Sequence, residues 1–128
     1  MIEILQIQDQ KKEQEILTAE EVKNKNAHVL EMIDANTLMG YVIVAVENDD
    51  LFIIKMNALG YSFEEKPNLE QIFILDSLMR SAASYGETFG ANKITTLFPD
   101  FFDFFKLRGF DTDKIFATTK MSTIVKYS

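Results

Sequence analysis

The chain has 128 residues, 47% hydrophobic and 26% charged, which is the length of one folded domain and too apolar for a disordered one. Its net charge of −7, with lysines scattered among acids, excludes the clustered basic face that a nucleic-acid partner requires. The absence of cysteine excludes disulfides, thiolate nucleophiles and thiolate metal ligands.

The apolar runs, such as VIVAV at 42–46, are far too short to span a membrane, and MIEILQIQDQKKEQ lacks the basic-then-apolar order of a signal peptide. A cytoplasmic protein is expected, with residues 1–128 forming a single domain that has neither nucleic acid nor membrane as partner. IEILQI (2–7) alternates weakly as a first strand, and the polar segment 11–26 reads as one or two short helices anchored by Ile16, Leu17 and Val22. AHVLEMID (27–34) is strand-like, Ala35-Asn36 is a turn, and TLMGYVIVAVE (37–47) is apolar on both faces, as a central strand should be. Asn48-Asp49-Asp50 makes a second turn before LFIIKMNAL (51–59), completing an antiparallel meander. His28, the single histidine, has no second ligand or triad partner at an identifiable spacing and is read as an ordinary strand residue.

Gly60 breaks the pattern, and SFEEKPN is a loop. Asn68 and Gln71 have the spacing of a capping box, and the apolar positions 72, 75, 78, 79, 82, 85, 86 and 89 predict one long helix stopped by Gly90. KITTLFP (93–99) is a short strand. PDFFDFFKLRGFD (99–111) follows, with acids near its start, Lys106 and Arg108 near its end, and Gly109 placed for a left-handed cap. That stretch predicts a short helix pinned to the sheet by aromatic side chains, with Phe110 folding back on Phe105 or its neighbours. The tail 115–127 reads as one long or two short strands. The fold class is α+β (mixed α/β): a mostly antiparallel sheet of about six or seven strands flanked by helices.

A long helix, a strand and a short aromatic helix ending in Gly-Phe resemble the C-terminal half of the GNAT superfamily of acetyl-CoA-dependent N-acetyltransferases. Phe104, Gly109 and Phe110 keep the spacing of that family's last helix; Leu78, Met79, Gly86 and Gly90 fall on its long-helix pattern. The meander of 27–59 fits its second to fourth strands. The resemblance implies acetyl-CoA as cofactor, with the acyl carbonyl and pantetheine held by the backbone of Asn57, Ala58 and Leu59, and the pyrophosphate by the turn at Phe73, Ile74 and Leu75. The family's glycine-rich fingerprint is replaced here by Glu70, Phe73 and Leu75, and the tyrosine that protonates the thiolate by Phe105. Its fourth-strand glutamate has only Lys55 and Asn57 as counterparts. Tyr61 is the preferred substitute acid, and Glu64 a candidate for attracting a cationic amine.

Two functions follow from the resemblance. The first is direct transfer of an acyl group to a small-molecule or peptide amine by a monomer or homodimer. The second is a GNAT-fold module without transferase activity that engages a protein or small ligand in the inherited cleft.

Overall fold

The structure, a computed structural model, describes residues 2–58, 68–96, 102–112 and 117–124. Its elements are β1 (Ile2–Gln6), α1 (Gln10–Ala19), β2 (His28–Asp34), β3 (Thr37–Glu47), β4 (Asp50–Ala58), α2 (Leu69–Thr88), β5 (Lys93–Thr96), α3 (Phe102–Lys106), β6 (Asp111–Thr112), β7 (Ala117–Lys120) and α4 (Met121–Ile124). Among the described residues, seven strands form one sheet in the order β1-β2-β3-β4-β5-β7-β6. Every pairing is antiparallel except β4 with β5, which α2 joins as a parallel crossover.

The turns follow their residues. Ala35 and Asn36, at φ 49° and 70°, make the tight β2–β3 hairpin, and Asn48 at φ 55° starts the next. The long helix begins in the predicted box: Asn68 Oδ1 accepts from Gln71 N at 2.9 Å, and Gln71 Oε1 accepts from Asn68 N at 2.8 Å. Gly109, at φ 92°, closes α3 with Phe110 N donating to Phe105 O at 3.2 Å, and the two rings stand 5.0 Å apart.

The polar segment after β1 holds one short helix, within the expected one or two, started by Asp9, whose carboxylate accepts from the backbone of Lys11 and Lys12. One predicted element differs. The tail does not continue as strand: β7 ends at Lys120, and a helical turn carries Met121 and Ile124 into the core together. Residues three apart share a face of a helix but oppose each other along a strand, so burying both selects the turn.

The sheet separates two cores. On one face α2 packs Leu75, Leu78, Met79, Ala82 and Ala83 against Val42, Val44, Leu51, Ile53 and Met56, joined by Phe104, Phe105, Phe110, Met121 and Ile124. The other face holds a smaller cluster of Ile7, Leu17, Ala27, Val29, Tyr41 and Ile43 under α1. At about 1.5–3 kcal/mol per fully buried large apolar side chain, the α2 face dominates the packing energy.

Candidate functional site

Strand β4 is fastened at one end and extended at the other. At its start, Asp50 Oδ2 accepts from Thr95 Oγ1 at 3.0 Å and pairs with Lys93 Nζ at 3.2 Å, while Thr95 shares a 3.1 Å hydrogen bond with Thr118 of β7. Pairing with β5 runs only from Asp50–Lys93 to Ile53–Thr96 among the described residues, whereas pairing with β3 continues to Ala58. Antiparallel geometry turns both backbone groups of every second residue away from the partner strand. Between Ile54 and Ala58, β4 thus directs hydrogen-bonding groups away from β3, towards the side on which β5 lies.

A bulge decides which side chains stand there. Ile43 pairs with Lys55 while Val44 pairs with Ile53, which makes Ile54 the extra residue. Leu51 and Ile53 before the bulge, and Met56 and Ala58 after it, all face α2. Without the inserted residue, strict alternation would send Asn57 to that core. With it, Asn57 faces the α1 side, directly across from Tyr41.

There Tyr41 links two elements. Its Oη donates to Glu20 Oε1 at 2.7 Å and accepts from Asn57 Nδ2 at 3.2 Å. Burial first, then the hydrogen bond to the Glu20 carboxylate, pushes the Tyr41 phenol up to about 12, so it remains protonated at neutral pH. Next to it, Glu31 pairs across strands with Tyr41 and is met by Lys12 Nζ at 2.9 Å. Glu13 accepts from Val29 N at 3.2 Å and approaches His28 Nδ1 at 3.3 Å. His28 is thus tied to α1 by a carboxylate as well as to its strand.

The other predicted site residues within the described regions fall on β4, α2 and α3, and Asn57, Ala58 and Ile74 meet around Gly40. Asn57 and Ala58 lie on the extended part of β4. On α2, Leu75 is fully buried, Ile74 is nearly so and packs beside Gly40, and Phe73 is 52% exposed. Phe105 is fully buried, edge-on to Phe104 at 5.3 Å. Leu59, Tyr61 and Glu64 lie outside the described residues, as does the rest of 59–67. Sequence reasoning missed Tyr41 and Glu20. The available signal was the phase change in LFIIKMNA, where the core parity moves from 51 and 53 to 56 and 58.

Among the described residues, no group of three or more His, Asp or Glu side chains is arranged to hold a metal ion, and no helix is long and apolar enough to cross a membrane. No protein-family model matches the sequence, and no curated protein sequence matches it. Solved structures do match in fold. The aminoglycoside 6'-N-acetyltransferase of Enterococcus faecium superposes with a TM-score of 0.67 at 8% identity, covering 93% of this chain and 97% of that one. The ribosomal-protein-S18-alanine N-acetyltransferase of Escherichia coli gives 0.67 at 10% identity, covering 94% of each. The PaiA N-acetyltransferase of Thermoplasma acidophilum, solved with coenzyme A, gives 0.58 at 15% identity over 82% of this chain and 65% of that one. The chain has the fold of the GNAT acetyltransferases.

Proposed function

We propose that this protein is an N-acyltransferase that moves an acyl group from acetyl-CoA directly to an amine acceptor. The observation that carries the reading is β4, which runs on to Ala58 past the end of its described pairing with β5. The fold's relatives, one of them solved with coenzyme A, support the same assignment.

The residues suit the acyl-pantetheine arm better than the pyrophosphate. Along Ile54–Ala58 the strand directs backbone donors and acceptors outward, a contact that requires no particular side chain. Leu75 turns into the core, so it does not fill the space before α2. The start of α2 carries positive potential, although the capping box already uses the N–H groups of Asn68 and Gln71. Leu69 N and Glu70 N, which have no partner within the helix, are the donors offered to a phosphate.

Acetyl-CoA supplies an activated thioester: the amine nitrogen forms the new C–N bond, the C–S bond breaks, and the thiol leaves with the proton the amine loses. In this reading the β4 backbone at Asn57, Ala58 and Leu59 aligns and polarises the carbonyl. Tyr61 stands in for the family's tyrosine, giving the thiolate a proton and recovering the one the amine loses, and Glu64 draws in a cationic acceptor. Residues 1–128 act as one unit.

The rival reading is a binding module without transferase activity. Glu70 at the mouth of α2, its filled capping box and the half-exposed Phe73 favour it, because each opposes a pyrophosphate. Thermal unfolding with acetyl-CoA separates the two. Binding at about 100-fold excess over the dissociation constant raises stability by about 2.7 kcal/mol. Such a shift, with amine-dependent release of free thiol, supports transfer. An unmoved unfolding temperature at millimolar acetyl-CoA removes it.

A further inference from the structure

Among the described residues the sheet has two unlike edges. One is β6, only two residues long. The other is β1, five residues paired on one side only, with β2. Ile7 N donates to Val29 O at 2.9 Å, and antiparallel alternation carries that phase back along β1. Glu3 and Leu5 thus bond to β2, while Ile2, Ile4 and Gln6 turn their N–H and C=O groups outward. Gln6 O fits this phase, accepting from the side chain of Gln8 at 3.3 Å. Sheet edges are commonly blunted by lysine, proline or a bulge. IEILQ carries none of these against β2, and Ile2 and Leu5 are 45% and 58% exposed.

The edge complements itself in one register. An antiparallel second copy of β1 must set outward residues against outward residues. A two-fold axis at Ile4 pairs Ile4 with Ile4 and Ile2 with Gln6 of the other copy, using every outward residue. An axis at Glu3 leaves Gln6 out and opposes Glu3 to Glu3, a like-charge pair; an axis at Leu5 leaves Ile2 out. In the Ile4 register Glu3 stands across from Leu5. Beyond Leu5 lies Glu31, with Lys12 Nζ at 2.9 Å, and the lysine is the exposed member of that pair, 48% against 10%. A carboxylate of each copy therefore approaches an exposed ammonium of the other, twice by symmetry. The two Leu5 side chains become diagonal neighbours. On the opposite face Ile4 packs against the α2 core. There Ile2 of the second copy, across from Gln6, comes over a groove of about 450 Å³ that Ile4, Gln6, Leu30 and Tyr85 line between β1 and α2.

We propose that β1 is a self-association surface: it pairs with β1 of a second copy about a two-fold axis at Ile4 and joins two sheets into one. The charge placement and the fit of Ile2 to the groove select a second copy over an unrelated strand. A ribbon this short buries less than the about 1,200 Å² that marks weak, transient contacts, so the dimer is half formed only near about 100 µM chain. The surface is independent of acyl transfer, because β2 and β3 separate it from β4.

The test is sedimentation equilibrium of the full chain from about 10 µM to about 1 mM. The average mass should rise from 14.7 kDa towards twice that value. Gln6→Pro removes an outward N–H and spares the bonds to β2, so it should weaken association about 10-fold without a change in charge. Leu5→Glu sets a glutamate across from Glu3 of the second copy and should weaken it similarly, whereas Leu5→Lys sets a lysine there and should preserve the dimer. Leu5 is exposed, so its variants keep the fold if Gln6→Pro does not, and unfolding temperatures are measured alongside. A wild type that stays at 14.7 kDa at about 1 mM overturns the proposal, as does wild-type association in Gln6→Pro and Leu5→Glu. Equal loss in Leu5→Lys and Leu5→Glu overturns the register on Ile4.

Discussion

Arg108 Nε donates to Asp76 Oδ1 at 2.7 Å while its guanidinium carbon lies 3.7 Å from the centre of the Phe104 ring. One side chain thus joins the middle of α2 to the end of α3, and Arg108 Nη1 adds a 3.1 Å bond to Phe104 O. Arg80, which holds the other Asp76 oxygen at 2.8 Å, reaches Ile124 O of α4. Lysine cannot provide the flat, forked contact. Arg108→Lys should destabilise the protein by about 1–2 kcal/mol in urea unfolding, with little change in the slope. Wild-type stability in that variant would dismiss the cluster as ornamental.

Asp76 should also leave a mark on acid stability. Burial alone would raise its carboxyl, but hydrogen bonds from Arg108 and then Arg80, with their charges, hold it below the usual value of 3.8. A carboxyl lowered in the folded state contributes stability that is complete above its unfolded pKa and is lost as pH falls through the folded one. Unfolding measured from pH 5 to 2 should therefore fall less steeply in Asp76→Asn than in the wild type.

The Tyr41 phenol gives the opposite sign. Its pKa is pushed up to about 12, so the contribution is complete below about pH 10 and is lost as pH rises through 12. Absorbance at 295 nm should show a late tyrosinate step that disappears in Tyr41→Phe and moves to lower pH in Glu20→Gln. A variant that leaves the late step in place would assign it to another tyrosine, Tyr85 first, whose phenol burial also raises.

Gly40 of β3 lies against both β4 and α2. A Cβ there would overlap the Asn57 carbonyl oxygen and meet Ile74 Cγ2 at 3.1 Å. Backbone cannot yield as a flexible side chain can, so Gly40→Ala should destabilise by about 1–3 kcal/mol. The same change should disturb the Asn57 NMR signals, because the strand that carries them must move. An unchanged unfolding midpoint would show that the three elements are looser than drawn.

At Phe105 the aromatic cluster predicts resistance to the family's hydroxyl. The ring is fully buried between Phe104 and Phe110, so Phe105→Tyr places an oxygen among apolar neighbours. A loss of about 1–3 kcal/mol with no gain in thiol release is expected. A stable variant with faster acyl transfer would instead place that hydroxyl in a working cleft.

Much of this molecule was legible in its residues. The Asn68–Gln71 box, the Gly109 cap with Phe110 on Phe105, and the meander turns at Ala35-Asn36 and Asn48 all depend on contacts within a few residues, which local spacing determines. The long helix was legible too, because burying one face imposes its own period. The tail was not: whether Met121 and Ile124 go in together depends on the core that awaits them. The Tyr41–Glu20–Asn57 chain was equally hidden. Its members lie 21 and 16 residues apart, and they meet only because one extra residue at Ile54 turns Asn57 to the α1 face. Spacing along the chain specifies turns, caps and periods; which polar groups face one another across a sheet is decided by register, and register exists only once the strands have paired.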